Sequence, residues 1–168
     1  MLDERDPRGW LLKALREAGG SLLSEFYGLD EEMLCRPAGE GELSLKEIAA
    51  HLRDAEELAL AQLTAIAEGK RGPLPAWDID VLPLERDYQR ADVNTVVAEF
   101  RRLRRETTYL LWDLTEADWQ RPGEHPFRGP VTLGDVAREL AQHDLEHLWQ
   151  VRRLKARLAE EVGSREDE

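Results

Sequence analysis

The sequence is poor in the residues that announce chemistry. Its 168 residues include one cysteine, Cys35, so no disulfide can form within the chain, which suits a reducing compartment. Cys35 stands in the turn-like run Glu-Met-Leu-Cys-Arg-Pro and reads as a packing residue rather than a nucleophile. Long apolar runs are missing. No stretch is long enough to span a bilayer, and the charged start, Met1 to Asp6, carries no apolar secretion signal. A cytoplasmic protein with no membrane partner is the expectation. Positive charge is scarce: 23 Lys and Arg face 35 Asp and Glu, for a formal net charge of −12. That is the opposite of the basic footprint a nucleic-acid binder needs, so nucleic acid is set aside as a partner. The arginine clusters that do occur (Arg101, Arg102, Arg104 and Arg105; Arg152 and Arg153) lie among acids and read as solvated helix faces. Strand-like alternation is lacking too, and nothing reads as a strand. Trp10, Trp77, Trp112, Trp119 and Trp149 read as packing residues, with Trp77, in a long loop, also placed to cover a pocket mouth.

What is present is helical. Hydrophobic residues make up 42% of the chain, and its length suits one domain over residues 1–168 with a real core. A first helix starts at Asp6-Pro7, a capping residue before proline at the first helical position. Leu11, Leu12, Leu15, Leu22, Leu23 and Phe26 give it an apolar side, and Gly19 and Gly20 either bend it or let a neighbour come close. Residues 30–42 form a connection. A second helix opens with the capping box Ser44-Leu45-Lys46-Glu47, buries Ile48, Leu52, Ala55, Ala59, Leu63 and Ile66, and ends at Gly69. Residues 70–91, with Pro73, Pro75 and Pro83, are a long connection, so helices two and three need not be antiparallel neighbours. A third helix runs from Asp92 to Leu114 over Val96, Val97, Phe100, Leu103, Leu110 and Leu111. A second loop, residues 115–131, leads to a fourth helix opening at Thr132, with Asp135 three residues on, and continuing past Leu158. The polar tail from Gly163 is expected to fray. A weak internal repeat runs through this layout. Leu-Asp-Glu-Glu-Met-Leu-Cys-Arg-Pro (residues 29–37) parallels Leu-Thr-Glu-Ala-Asp-Trp-Gln-Arg-Pro (residues 114–122), and each precedes a Ser or Thr cap and a long helix.

The informative residues are three histidines. On the fourth helix, Leu133, Val136, Leu140, His143, His147, Val151, Leu154 and Leu158 form one series at steps of three and four. His143 and His147 therefore occupy positions where the pattern asks for leucine. Their i, i+4 spacing puts both imidazoles on one face. His51 sits at the edge of the apolar stripe of the second helix. Buried polar side chains without partners cost roughly 1–3 kcal/mol each. A metal offsets that cost directly, and a hydrogen-bond network does so less strongly. Imidazole is a common ligand for borderline divalent metals, and three on one cation leave coordination positions open for chemistry. Glu47, Asp54, Glu139 and Asp144 are placed to orient the rings but read as surface residues in so acidic a chain, and Gln150, three residues beyond His147, lies at the margin of the same face. His-Asp-Leu-Glu-His also fits the H-x-x-E-H signature of inverzincin peptidases, with Glu146 as general base. Such enzymes need a further ligand far downstream and a larger fold than this chain supplies.

Two segments carry a family resemblance: Ser-Leu-Lys-Glu-Ile-Ala-Ala-His-Leu-Arg-Asp-Ala-Glu (residues 44–56) and His-Asp-Leu-Glu-His-Leu-Trp-Gln-Val (residues 143–151). A histidine after a capping box, then H-x-x-x-H-x-x-Q on a later helix, resembles the DinB/YfiT-like superfamily of metal-dependent enzymes, and the likeness in layout spans roughly residues 10–158. Where many members have Arg-Gly after the last histidine, this chain has Leu148 and Trp149, which alters how a pocket is walled. The resemblance implies an all-α four-helix bundle of up-down-down-up topology. It implies one divalent metal ion, nickel or zinc, on His51, His143 and His147, and a homodimer. It also implies a transferase that activates a low-molecular-weight thiol for attack on an electrophilic substrate, with Gln150, which the family pattern retains, as the stronger partner of His147 and a candidate catalytic residue; Glu146 is a candidate catalytic residue for hydrolysis by metal-bound water. Two alternatives stay open: a hydrolase using metal-bound water, and a metal-binding stress-response module without turnover.

Overall fold

The computed structural model describes residues 5–166. Four long helices, α1 (Pro7–Glu25), α3 (Leu45–Ala67), α5 (Val93–Asp113) and α7 (Leu133–Glu166), make the body. Three short helices, α2 (Glu31–Cys35), α4 (Leu82–Glu85) and α6 (Glu116–Trp119), and a hairpin of β1 (Pro122–His125) and β2 (Gly129–Thr132) fill the connections.

Each long helix begins where a side chain can satisfy its free amides. Asp6 accepts from Arg8 N ahead of Pro7, Ser44 and Glu47 close a reciprocal box, and Asp92 accepts from Thr95 N. At the start of α7, Thr132 N donates to Asp135 Oδ2 (2.8 Å) and Asp135 N donates to Thr132 Oγ1 (3.1 Å). The two repeat segments fold alike. Asp30 caps α2 and Thr115 caps α6, and each short helix turns one long helix into the next.

Cross-helix pairs fix the directions. Arg53 meets Glu99 and Arg104 meets Glu56, so α3 and α5 run the same way. Arg152 and Lys155 reach Glu25 at the end of α1, while Leu12 and Leu15 cluster with Leu133 and Val136, so α1 and α7 also run together. His51 of α3 faces His143 and His147, while Ile66 clusters with Leu133, so α3 and α7 are antiparallel. The order is up-down-down-up. The long connection between α3 and α5 returns the chain to the end where α3 began.

The interior has two oily halves. One gathers Leu22, Phe26, Ile48, Leu52, Phe100, Val151 and Leu154, and the other Leu15, Leu63, Ile66, Leu111, Leu133 and Leu140. Along every long helix polar or small residues lie between the two halves: Gly19, Glu56, Arg104 with Thr107, and His143 with Asp144 and His147. The polar layer at mid-bundle is where function is sought.

Several expectations are corrected. Of the two roles open to Gly19 and Gly20, bending is not taken up, since α1 is continuous through both, and Gly19 lets a neighbour come close: a Cβ there would lie 3.0 Å from Arg104 Nη1. The tail from Gly163 is helical to Glu166 rather than frayed. Residues 122–125 and 129–132, read as loop, pair as an antiparallel hairpin in register Pro122 with Thr132 and His125 with Gly129. Leu74 N donates to Glu124 O (2.8 Å), tying the long connection to this hairpin. Gly123 sits so close to Ile66 and Leu74 that a Cβ there would lie 2.8 Å from Ile66 Cγ1. Cys35 is exposed, its Sγ donating to Glu31 Oε1 (3.2 Å), and is not a core residue. Of the tryptophans, Trp119 is buried, whereas Trp10, Trp112 and Trp149 are exposed. Trp77 packs against the core with the Arg86 guanidinium 4.8 Å from its ring centre.

Candidate metal centre

The structure brings the three histidines together. His51 Nε2 lies 3.0 Å from His143 Nε2 and 3.1 Å from His147 Nε2, and the last two lie 3.0 Å apart. The capping box sets the start of α3 and so the turn from which His51 projects. The α7 pair follows from its four-residue spacing. All three rings are half-buried.

Their protonation suits a cation. Burial, then the neighbouring His147, pushes the pKa of His51 down to about 4. Burial, then His147 and His51, pushes His143 down to about 3. Burial also lowers His147, against the hydrogen bond with Gln150. At neutral pH the rings are uncharged. His147 Nδ1–H donates to Gln150 Oε1 (2.7 Å), and a neutral ring with its proton on Nδ1 presents a lone pair at Nε2. Two nitrogens each about 2.1 Å from one ion stand roughly 3.0–3.4 Å apart for angles between right and tetrahedral. The observed separations fit that range, and no other groups of three or more His, Cys, Asp or Glu ligand atoms draw together this way among the described residues.

The site is not sealed. An open cleft of about 150 Å³ has His143 in its wall. Ala55, Leu58, Ile79, Val136 and Leu140 give it an apolar lining. Its polar members are engaged elsewhere: Gln62 Nε2 donates to Pro75 O (2.8 Å), and Glu139 pairs with Arg128. A second cavity, of about 370 Å³, includes Glu146 and Gln150 and is ringed by charge. Glu146 itself is exposed and accepts from Gln142 Nε2 (3.1 Å).

Two carboxylates read as surface residues are among the most buried in the molecule. Asp54 and Asp144 are each 1% exposed. Neither serves as the hydrogen-bond partner of a histidine. Asp54 accepts from Tyr88 Oη, Arg86 Nη1 (2.7 Å) and Arg53 Nε (3.0 Å), pinning the end of the long connection to α3. Burial, then Asp54, holds the Tyr88 hydroxyl above its ordinary pKa. Glu47 serves the α3 cap instead.

Asp144 belongs to a network that the sequence reading missed. Arg104, read as part of a solvated face, is 6% exposed and forks between two acids. Its Nε and Nη2 donate to Glu56 (3.0 and 2.7 Å), and Nη1 and Nη2 donate to Asp144 (2.8 and 2.9 Å). Nη1 also donates to Leu15 O (2.6 Å), and Thr107 Oγ1 donates to Glu56 Oε1 (2.7 Å). Burial lowers the pKa of Arg104, and the Glu56 and Asp144 carboxylates more than reverse it, so the guanidinium stays charged. Burial pushes Asp144 up to about 6 against the pull of Arg104. Phase gave the missed signal: Glu56 falls in step with Leu52 and Leu63, and Arg104 with Phe100, Thr107 and Leu111.

Fold and histidines together define a four-helix bundle with a three-imidazole cluster at its middle, compatible with metal binding. The profile of the DinB superfamily matches residues 14–151, and the chain belongs to that superfamily. No curated protein matches it in sequence. Among solved structures, the chain is similar to YfiT from Bacillus subtilis, described as a probable metal-dependent hydrolase with an unusual four-helix bundle topology. The match has 18% identity, covers 95% of this chain and 91% of that one, and has a TM-score of 0.84. It is also similar to TT2238, a four-helix bundle protein, at 20% identity, 87% and 98% coverage and a TM-score of 0.65. A mycothiol-dependent maleylpyruvate isomerase matches at 10% identity and a TM-score of 0.73, over 90% of this chain and 63% of that one. At these identities the likeness is one of fold. No described helix is long and apolar enough to cross a membrane.

Proposed function

We propose that the protein holds a divalent cation on His51, His143 and His147 and uses it to activate a low-molecular-weight thiol for transfer of its sulfur to an electrophile. The observation that carries this is the triangle of uncharged ring nitrogens, 3.0–3.1 Å on a side, beside a solvent-open cleft. The maleylpyruvate isomerase that shares the fold depends on mycothiol, a small thiol, which lends support. Nickel or zinc, a cytoplasmic setting and a homodimer belong to the same reading.

When bound, the cation lowers the pKa of a coordinated thiol or water. The chain's own residues do the rest. Gln150 keeps the His147 proton on Nδ1 and so fixes that ring's orientation. In the transfer the thiol gives up its proton and the sulfur pair forms the new S–C bond. A halide leaves with the pair of the breaking bond, or an epoxide oxygen keeps it and takes a proton. The likeness to YfiT favours a second reading, hydrolysis with water in place of the thiol and Glu146 as general base.

His147→Ala tests the reading in protein purified without a histidine tag. Metal content is measured alongside turnover of an electrophile panel with and without thiol. Loss of both metal and thiol-dependent turnover is expected. Retained metal with unchanged turnover overturns the proposal, and turnover that needs metal but no thiol selects hydrolysis. Gln150→Ala is expected to weaken metal binding by about 10- to 100-fold.

A further inference from the structure

The two cavities differ in chemistry, and the histidines stand between them. The cleft at His143 is apolar. The larger cavity, about 370 Å³, is lined by Glu42, Glu146, Trp149, Gln150, Arg153 and Arg157 among others, and it reaches the histidines through Gln150, the partner of His147. Its charges are unequally engaged. Arg157 is committed to Ala38 O (2.6 Å) and lies 3.7 Å from Glu42. Glu146 accepts from Gln142. Gln150 spends its oxygen on His147, and no protein acceptor takes its amide N–H among the described residues. Arg153 has no ion pair and no hydrogen bond among the described residues, although acids outnumber basic residues 35 to 23 in this chain. An unpaired guanidinium in a cavity wall is a carboxylate receptor: it is always charged and offers a planar fork that matches two oxygens. Trp149, 67% exposed, adds a flat wall beside it.

We propose that this cavity is the polar half of the substrate site. It takes a carboxylate-bearing, amino-acid-like thiol whose carboxylate lies on Arg153, with Gln150 donating to it, while the apolar cleft at His143 takes the hydrocarbon part of the electrophile. The identity of the ligand as a thiol rests on the function proposed above; the carboxylate preference rests on the cavity. Arg153 is a specificity-determining residue here, and it holds no metal.

Three probes on one scaffold separate the two ideas by calorimetric titration. L-cysteine has both groups, cysteamine lacks the carboxylate, and S-methylcysteine has the carboxylate but a blocked sulfur. In metal-loaded wild type, cysteine is expected to bind about ten-fold more tightly than cysteamine, the scale of one charge-assisted contact. Arg153→Gln should erase that ratio without changing metal content or melting temperature, and Arg153→Lys should restore part of it. Equal binding of cysteine and cysteamine to wild type, or a ratio that survives Arg153→Gln, overturns the proposal. S-methylcysteine tests the cavity alone: its binding should weaken about ten-fold in Arg153→Gln and be the same in metal-loaded and metal-free wild type. If it behaves so while cysteine gains nothing from the metal, the carboxylate site stands and the thiol reading falls. If its affinity is indifferent to Arg153, the carboxylate site falls whatever the metal does.

Discussion

Two polar clusters share the middle of this bundle, built on opposite plans. The histidines are uncharged, half-buried and beside a cleft, their Nε2 atoms turned toward one another, and Gln150 leaves that of His147 a lone pair to give. The Glu56–Arg104–Asp144 cluster is an ion-paired network and sealed, and its guanidinium is saturated by two carboxylates and a backbone carbonyl. Saturation suits a structural part and unsaturated donors suit a binding part. The sequence interleaves them, since Asp144 follows His143 directly.

The sharpest way to break the comparison is Arg104→Leu. It leaves two buried carboxylates unpaired and is expected to cost about 3–5 kcal/mol. For a chain of this size that is a drop of roughly 6–20 °C in melting temperature. Replacing Arg104, Glu56 and Asp144 together by apolar residues should cost far less, because a buried ion network roughly breaks even against a packed apolar one. Thermal melts of the two variants decide the matter, and equal losses would count against the cluster as the source of the effect.

Acid should act on the two clusters with opposite sign. Below the ordinary histidine pKa of 6.5, the unfolded chain takes up protons that folded His51 and His143 refuse until about pH 4 and about pH 3. Stability from these rings is present above pH 6.5 and is lost as pH falls through that window. Asp144, raised to about 6 from 3.8, does the reverse and holds a proton the unfolded chain has released. His147 is shifted in the same direction as the other two rings, so the metal-free protein should lose stability between pH 6.5 and 4. Replacing the three histidines by leucine should flatten the dependence of melting temperature on pH over that range. An unchanged slope would remove the histidines as its cause.

The smallest effect concerns adjacent glycines. A Cβ on Gly20 meets nothing within 4 Å, so Gly20→Ala should stabilise α1 by about 0.5–1 kcal/mol. A Cβ on Gly19 would lie 3.0 Å from Arg104 Nη1 and 3.4 Å from its Cγ, so Gly19→Ala should forfeit that gain. Denaturant midpoints of the two variants measure the difference, and equal gains would show that Arg104 has room to spare.

Much of this was legible in the sequence, for identifiable reasons. Ser44, Asp92 and Thr132 mark helix starts because the capping side chain is a local necessity. The α7 stripe exposes His143 and His147 because they stand in leucine positions. Asp54, Glu56, Arg104 and Asp144 went unread as core residues because charge was taken to mean surface, a rule that fails when an opposite charge lies on the next helix. The hairpin escaped because each strand has four residues and a proline, Pro122 in one and Pro130 in the other, and strand pattern needs length to show.

Arg104 comes from α5, which contributes none of the three imidazoles, yet its guanidinium grips an acid on α3 and another on α7, the two helices that carry them. A slip of one helix by a single turn, about 5.4 Å, would break that grip and part His51 from its partners together. The gauge of the candidate centre is therefore set from outside it, and changes in α5 will retune the spacing of groups they never touch.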